Sequence, residues 1–117
     1  MDGKRNKNPR IGINLKDNYI NIGSDVIREL NHPEYITLFI SENLDSIAIK
    51  PCGADDVMSF KVPEGFTFNK NKNFRIYSIG FTGQLKKRLK LKSGETYHYK
   101  GEYDGKHNAV IFSLLEK

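Results

Sequence analysis

A chain of 117 residues that is 38% apolar and 11% aromatic falls in the single-domain range and can bury a core, which excludes wholesale disorder. No apolar run approaches the roughly 20 residues of a membrane span, and no hydrophobic region follows the N-terminal charges as it would in a signal peptide. A single cysteine, Cys52, rules out an intrachain disulfide and argues against a cysteine-based zinc site, so the expected compartment is the cytoplasm, with no membrane partner.

The net charge of +5 is unevenly spread. Residues 1–58 hold 7 Lys and Arg against 9 Asp and Glu, whereas residues 59–117 hold 12 against 5. The basic character therefore belongs to the second half and to a short N-terminal stretch, and it favours polyanions or acidic protein partners. Residues 1–9 carry Lys4, Arg5 and Lys7 among Asn, Gly and Pro, the composition of a flexible basic arm.

From residue 10 the pattern changes. Ile11, Ile13 and Leu15 alternate, then Ile20 and Ile22 do so after Lys16-Asp17-Asn18, which predicts two short strands joined by a turn. Ser24 suits a helix N-cap, Asp25 suits the positive helix end, and Val26, Ile27 and Leu30 define one apolar face. Pro33 ends that short helix. Residues 35–40 form a strong strand, residues 41–45 a polar hairpin turn, and residues 46–50 the partner strand, closed by Pro51-Cys52-Gly53.

Residues 57–62 read as an edge strand or a linker between Asp55-Asp56 and the Pro63-Glu64-Gly65 turn. After a polar loop at 69–73, residues 74–79 predict a strand. Thr82 is placed to cap a helix over 83–90 that carries Leu85 and Leu89 on one face. Ser93-Gly94-Glu95 then turns the chain into a strand at 96–100. A polar hairpin at 101–108 leads to a last strand at 109–114.

The second half thus replays the first. An offset of 59 pairs Ile20 with Ile79, Ile22 with Phe81, Val26 with Leu85, Leu30 with Leu89, Leu38 with Tyr97 and Ile40 with Tyr99. A hairpin about four residues longer then brings Ile47 and Ile49 onto Ile111 and Ser113. The expected organisation is one domain, 10–117, made of two β–helix–β–β repeats (10–53 and 74–115) joined by 54–73.

The first repeat, from Ile11-Gly12-Ile13 through Ile20-Asn21-Ile22 and Arg28-Glu29-Leu30 to Ile47-Ala48-Ile49-Lys50-Pro51, resembles the AbrB/MazE-like (SpoVT-AbrB) DNA-binding unit over about 40 residues. Leu89-Lys90-Leu91-Lys92-Ser93-Gly94-Glu95 resembles that family's Gly-Asp turn, with Glu95 where Asp is usual. The first repeat departs from the pattern, since Ile22-Gly23 replaces a proline and residues 31–35 lack the turn glycine.

The resemblance implies a mainly β fold with two short helices, closed as a cradle-loop β-barrel. The swapped-hairpin, double-psi and RIFT connections share this order of elements and all remain open. Family members pair two units as a dimer, so this chain is expected as a monomeric pseudo-dimer or a homodimer.

What the resemblance implies for function is duplex DNA binding by a bacterial transcriptional regulator or antitoxin-like protein. By position it points to Arg10, Lys16 and Arg28 in the first repeat, and to Arg75, Lys86, Lys87 and Arg88 in the second, with Lys90 and Lys92 adjacent. Lys70 and Lys72 join this set from the polar loop, framed by Phe66, Phe68 and Phe74. Clustered Lys and Arg release counterions from phosphates, and Arg can fork onto guanine edges. Asp17, on the first hairpin where the family carries more arginine, repels phosphate. The alternative is a non-enzymatic interaction module, such as a mobile-element-encoded adaptor or inhibitor, whose basic surface covers an acidic protein partner.

Tyr97 and Tyr99 could stack single-stranded bases, but their match to Leu38 and Ile40 favours a core role. Nothing in the pattern predicts catalysis, a cofactor or a metal. His32, His98 and His107 lack ligand spacing, Cys52 lacks a nucleophile signature, and Asp55-Asp56 reads as a solvated loop.

Overall fold

Period-two alternation of β-branched and polar residues builds most of the strands in the computed structural model, which describes residues 9–41, 46–56, 58–63, 73–89 and 94–114, the side chains of 88 and 89 excepted. In chain order the elements are β1 (Arg10–Asn14), β2 (Tyr19–Gly23), α1 (Ser24–Glu29), β3 (Tyr35–Ile40) and β4 (Ser46–Pro51). There follow β5 (Phe60–Lys61), β6 (Asn73–Tyr77), α2 (Ile79–Leu89), β7 (Thr96–Asp104) and β8 (Ala109–Ser113). All strand pairs are antiparallel, in the order β5-β3-β4-β8-β7-β1-β2-β6, and the sheet curls into a nearly closed barrel. The mainly β, two-helix barrel expected from the sequence is therefore the observed architecture.

Inward residues of the alternation form one core. Ile11, Ile13, Ile20, Ile22, Ile47, Ile49, Val110 and Phe112 are each at most 2% exposed, and each such side chain contributes about 1.5–3 kcal/mol by leaving water. α1 follows the end of β2 at Gly23, whereas α2 follows the end of β6 at Tyr77, which pairs with Tyr19 at the start of β2. The helices thus depart from opposite ends of the β2–β6 pair. Val26, Ile27 and Leu30 from one end and Leu85 from the other join the same core.

The strand order carries an internal symmetry. Exchanging β1 with β5, β2 with β6, β3 with β7 and β4 with β8 returns six of the seven pairings unchanged. The seventh, β1–β2, maps onto β5–β6, the pair that would close the barrel. β5 therefore plays for β3 the part that β1 plays for β7, and in topology the second unit starts at β5, within the segment read from sequence as a joining stretch.

Several local expectations are corrected. α2 begins at Ile79 rather than at 83, because Ser78 is the cap: its Oγ accepts the Phe81 N–H at 3.1 Å. Thr82 lies inside the helix, where its hydroxyl donates to the Ser78 carbonyl at 2.9 Å. Ile79 and Phe81 are therefore helical, while Ile20 and Ile22 are strand, so those two pairings of the 59-residue offset fail; Val26 and Leu85 are both fully buried helix positions.

Ile47 and Ile49 face inward, as do Val110 and Phe112, so their proposed match to Ile111 and Ser113 is one residue out of register. β7 continues to Asp104, so 101–104 are strand and the turn occupies 105–108. Ser24 is the first helical residue, not the cap, and Gly23 precedes it without a side-chain cap bond. Of the stretch 57–62, read as an edge strand or a linker, Phe60–Lys61 form the two-residue β5 at the edge of the sheet. Pro9, given to the basic arm, is buried, and its carbonyl accepts the Gly101 N–H at 2.8 Å.

The nine-residue β7 pairs with β1 through Lys100 and with β8 from Gly101 onward, so it joins both halves of the sheet. At the changeover a Cβ on Gly101 would stand 2.6 Å from ring carbons of Phe112 and 2.8 Å from the Ile111 carbonyl oxygen. Only glycine fits there.

Candidate nucleic-acid interface

The same alternation that sends isoleucines inward places a different set of residues on the outer face of β6-β2-β1-β7. Register gives the rows directly. Tyr77, Tyr19, Asn14 and Thr96 lie side by side, followed by Arg75, Asn21, Gly12 and His98. The third row is made by Asn73 beside Gly23 and by Arg10 beside Lys100; the Gly23 Cβ position is 3.3 Å from the Arg10 carbonyl oxygen. The residues of these three rows include Arg10, Arg75, Lys100 and His98, and the Asp25 carboxylate from the start of α1 reaches over the third row, its Oδ1 2.7 Å from the Gly23 Cβ position.

A connected polar cluster occupies the β6–β2 side of this face. The Arg75 guanidinium lies over the Tyr19 ring, 4.4 Å from its centroid, and donates to the Tyr77 hydroxyl at 3.2 Å. That hydrogen bond, then the neighbouring tyrosines, favours the charged form of Arg75 still further. The Tyr19 and Tyr77 rings are 5.3 Å apart and tilted by 58°, and the Tyr19 hydroxyl accepts the Asn14 side-chain N–H at 3.2 Å. Asn14 Oδ1 in turn accepts the backbone N–H groups of Lys16 and Asp17, which shapes the β1–β2 turn.

The centre of the face is shallow. A Cβ on Gly12 would lie 3.3 Å from the His98 ring, so the imidazole rests on bare backbone, and 3.7 Å from Asn21 Cβ. Asn21 Oδ1, shielded from solvent, has no hydrogen-bond partner among the described residues. A buried acceptor without a donor is uncommon in folded proteins.

The basic residues expected from sequence separate into groups. Arg10 and Arg75 come together on this face, and exposed Lys16 sits in the turn at its Tyr19 end. Asp17 shares that turn and is close enough to act on Arg75 electrostatically. Arg28 is exposed on α1 at the opposite end, donating to Ser24 Oγ at 3.3 Å. Lys86 and Lys87 are exposed on α2, whose start is tied to the β1–β2 turn by the Ser78 N–H donating to the Asn18 carbonyl at 3.1 Å. The Arg88 side chain, Lys70, Lys72, Lys90 and Lys92, like Phe66 and Phe68, lie outside the described residues, as do arm residues 1–8 and hairpin residues 42–45.

Sequence reasoning missed Tyr19, Asn21, Tyr77, His98 and Lys100 as members of one surface. Their alternation was visible; the β2–β6 and β1–β7 pairings that assemble them were not. Tyr97 and Tyr99 pack against the core, and burial followed by Tyr97 raises the Tyr99 pKa, so these two take the core role rather than a stacking one.

Asp55 and Asp56 are exposed, with Asp56 Oδ2 accepting the Gly53 N–H at 2.8 Å. Among the described residues no group of three His, Cys, Asp or Glu is placed to hold a metal ion, and no helix is long and apolar enough to cross a membrane. No family model, curated protein or solved structure matches the chain.

Proposed function

We propose that this chain binds nucleic acid through the outer face of β6-β2-β1-β7. One observation carries the reading: three rows of that face bring Arg10, Arg75, Lys100 and His98 together with the exposed Tyr77 ring and the half-buried Tyr19 ring, against the Asp25 carboxylate that reaches the third row. A cationic sheet face with aromatic rings is suited to a phosphate backbone and its bases, and each phosphate neutralised releases condensed counterions. Lys16 at one margin and Lys86 and Lys87 on the adjoining helix extend the positive field. The regulator or antitoxin-like role belongs to the same proposal as a biological setting for such binding.

Fluorescence anisotropy with labelled DNA tests it across a salt series. The wild type is expected to bind at low salt and to weaken steeply as salt rises. Replacing Arg10, Arg75 and Lys100 with Ala should lower the slope of log K against log salt by about 2 to 3, at roughly 0.7–0.9 per phosphate contact. Absence of binding at low salt overturns the proposal, and so does a triple variant that binds like the wild type. In the latter case, capture of an acidic protein partner becomes the leading reading of the basic surface.

A further inference from the structure

Resting on that nucleic-acid reading, we propose that the ligand of this face is a single strand, with one base stacked on Tyr19 and Tyr77 and its edge read by the Asn21 amide.

Shape gives the first reason. Four strands about 4.8 Å apart span roughly 14 Å before side chains are added, whereas the major groove of a duplex, about 12 Å wide, admits a helix or a two-stranded ribbon. A duplex would meet this face only by its backbone and would leave the tyrosine rings unused, since its base faces are covered by their neighbours. A single strand offers those faces.

Spacing gives the second. Successive outward residues on a strand are separated by about 6.7 Å, roughly twice the 3.4 Å rise per nucleotide of a stacked strand in duplex. Rows at that interval match nucleotides drawn out and unstacked. The Tyr77–Tyr19 row then takes a base, while Arg10 and Lys100, two rows away, take phosphate.

The contents of the cluster give the third. Arg75 already lays a flat, delocalised cation on the Tyr19 ring, so that ring face accepts a planar group. Tyr77 is 62% exposed beside it. When a base takes the place of the guanidinium, Arg75 turns its fork to the adjoining phosphate. Asn21 stands directly across from Arg75, and its Oδ1 is an acceptor with no donor among the described residues. An asparagine amide pairs bidentately with adenine, which makes an adenine-containing strand the preferred ligand.

The experiment compares labelled single-stranded DNA and RNA homopolymers with a hairpin duplex of equal phosphate number, by anisotropy and by intrinsic tyrosine emission, which is directly visible because the chain holds six tyrosines and no tryptophan. The wild type is expected to bind a single strand at least about tenfold more tightly than the duplex, with tyrosine quenching. Tyr19→Ala and Tyr77→Ala should each weaken single-strand binding by about five- to a hundredfold. Tyr19→Phe, which keeps the ring, should retain it. Asn21→Leu should level the preference among homopolymers.

Equal binding of duplex and single strand, with both alanine variants silent, overturns this proposal and leaves the nucleic-acid reading standing. No binding of either ligand overturns both. A wild type that binds all homopolymers equally removes Asn21 as the reader.

Discussion

Asn21 and Arg75, each the central residue of a five-residue strand, face one another across β2 and β6, the two strands that the exchange of units carries onto each other. Central positions of two topologically matching strands therefore meet directly at their junction, one as an amide and the other as a guanidinium. One side of the junction is cationic and stacked on Tyr19, and the other carries Asn21 Oδ1, which has no hydrogen-bond partner among the described residues.

Arg75 gives the first prediction. Its contacts with Tyr19 and Tyr77 lie at the surface, where solvent screens charge, so Arg75→Ala is expected to leave the melting temperature nearly unchanged. The same substitution should weaken nucleic-acid binding. Arg75→Lys restores the charge but not the planar fork, so it should recover the salt dependence more fully than the affinity. Thermal melts and anisotropy on the three proteins check this. A large drop in melting temperature for the alanine variant would mean that the cluster holds the fold rather than the ligand.

Gly101 marks where β7 changes partners. A methyl group there meets Phe112 and the Ile111 carbonyl well inside contact distance, and the carbonyl belongs to a paired strand that cannot swing aside. Gly101→Ala is expected to cost about 1–3 kcal/mol by overpacking, read as a lower urea midpoint. Gly105, in the following turn, has its nearest Cβ contact at an ordinary 3.5 Å, so Gly105→Ala should unfold close to the wild-type midpoint.

The start of α2 gives a third. Ser78→Ala removes the oxygen that accepts the Phe81 N–H and should cost about 1 kcal/mol, the usual worth of an N-cap. Thr82→Val keeps the buried shape but loses the hydroxyl that donates to Ser78 and contacts Asn18 Oδ1 at 3.1 Å, so it should loosen the tie between the helix and the β1–β2 turn. Amide exchange in residues 78–82 distinguishes the two: the serine variant should fray the helix start alone.

These residues also explain which parts of the fold were legible. In the first unit, alternating isoleucines satisfy one period at a time, so strands and core agree with the pattern. In the second unit Ile76, Ile79 and Phe81 form an apolar run that straddles a strand end and a helix start, and both Ser78 and Thr82 have capping chemistry. Local preference could not choose between them; the pairing of β6 with β2, which ends at Tyr77 opposite Tyr19, does. The candidate interface was hidden for the same reason. Strand alternation marks Tyr19, Asn21 and Arg75 as outward residues, but only long-range register makes them neighbours.

The β7–β8 turn supplies a prediction in pH. Its geometry repeats that of the β1–β2 turn: Asp104 Oδ1 accepts the Lys106 N–H at 3.0 Å, as Asn14 Oδ1 accepts that of Lys16, and Asn108, like Asn18, has positive φ. The His107 Nδ1–H, 2.8 Å from Asp104 Oδ2, is the main cause that holds the Asp104 carboxyl below the usual range, with the Lys106 backbone N–H assisting. A carboxyl whose pKa is lower folded than unfolded contributes stability above its unfolded value, and that contribution fades as pH falls through the lowered folded value. The turn should therefore hold through mildly acidic pH and loosen only below the ordinary aspartate range. The Lys106 amide shift, followed by NMR on acidification, should report the transition there. Asp104→Asn should remove that acid transition while keeping an Asn14-like acceptor for the Lys106 amide. A transition unchanged in this variant would assign it to another carboxyl.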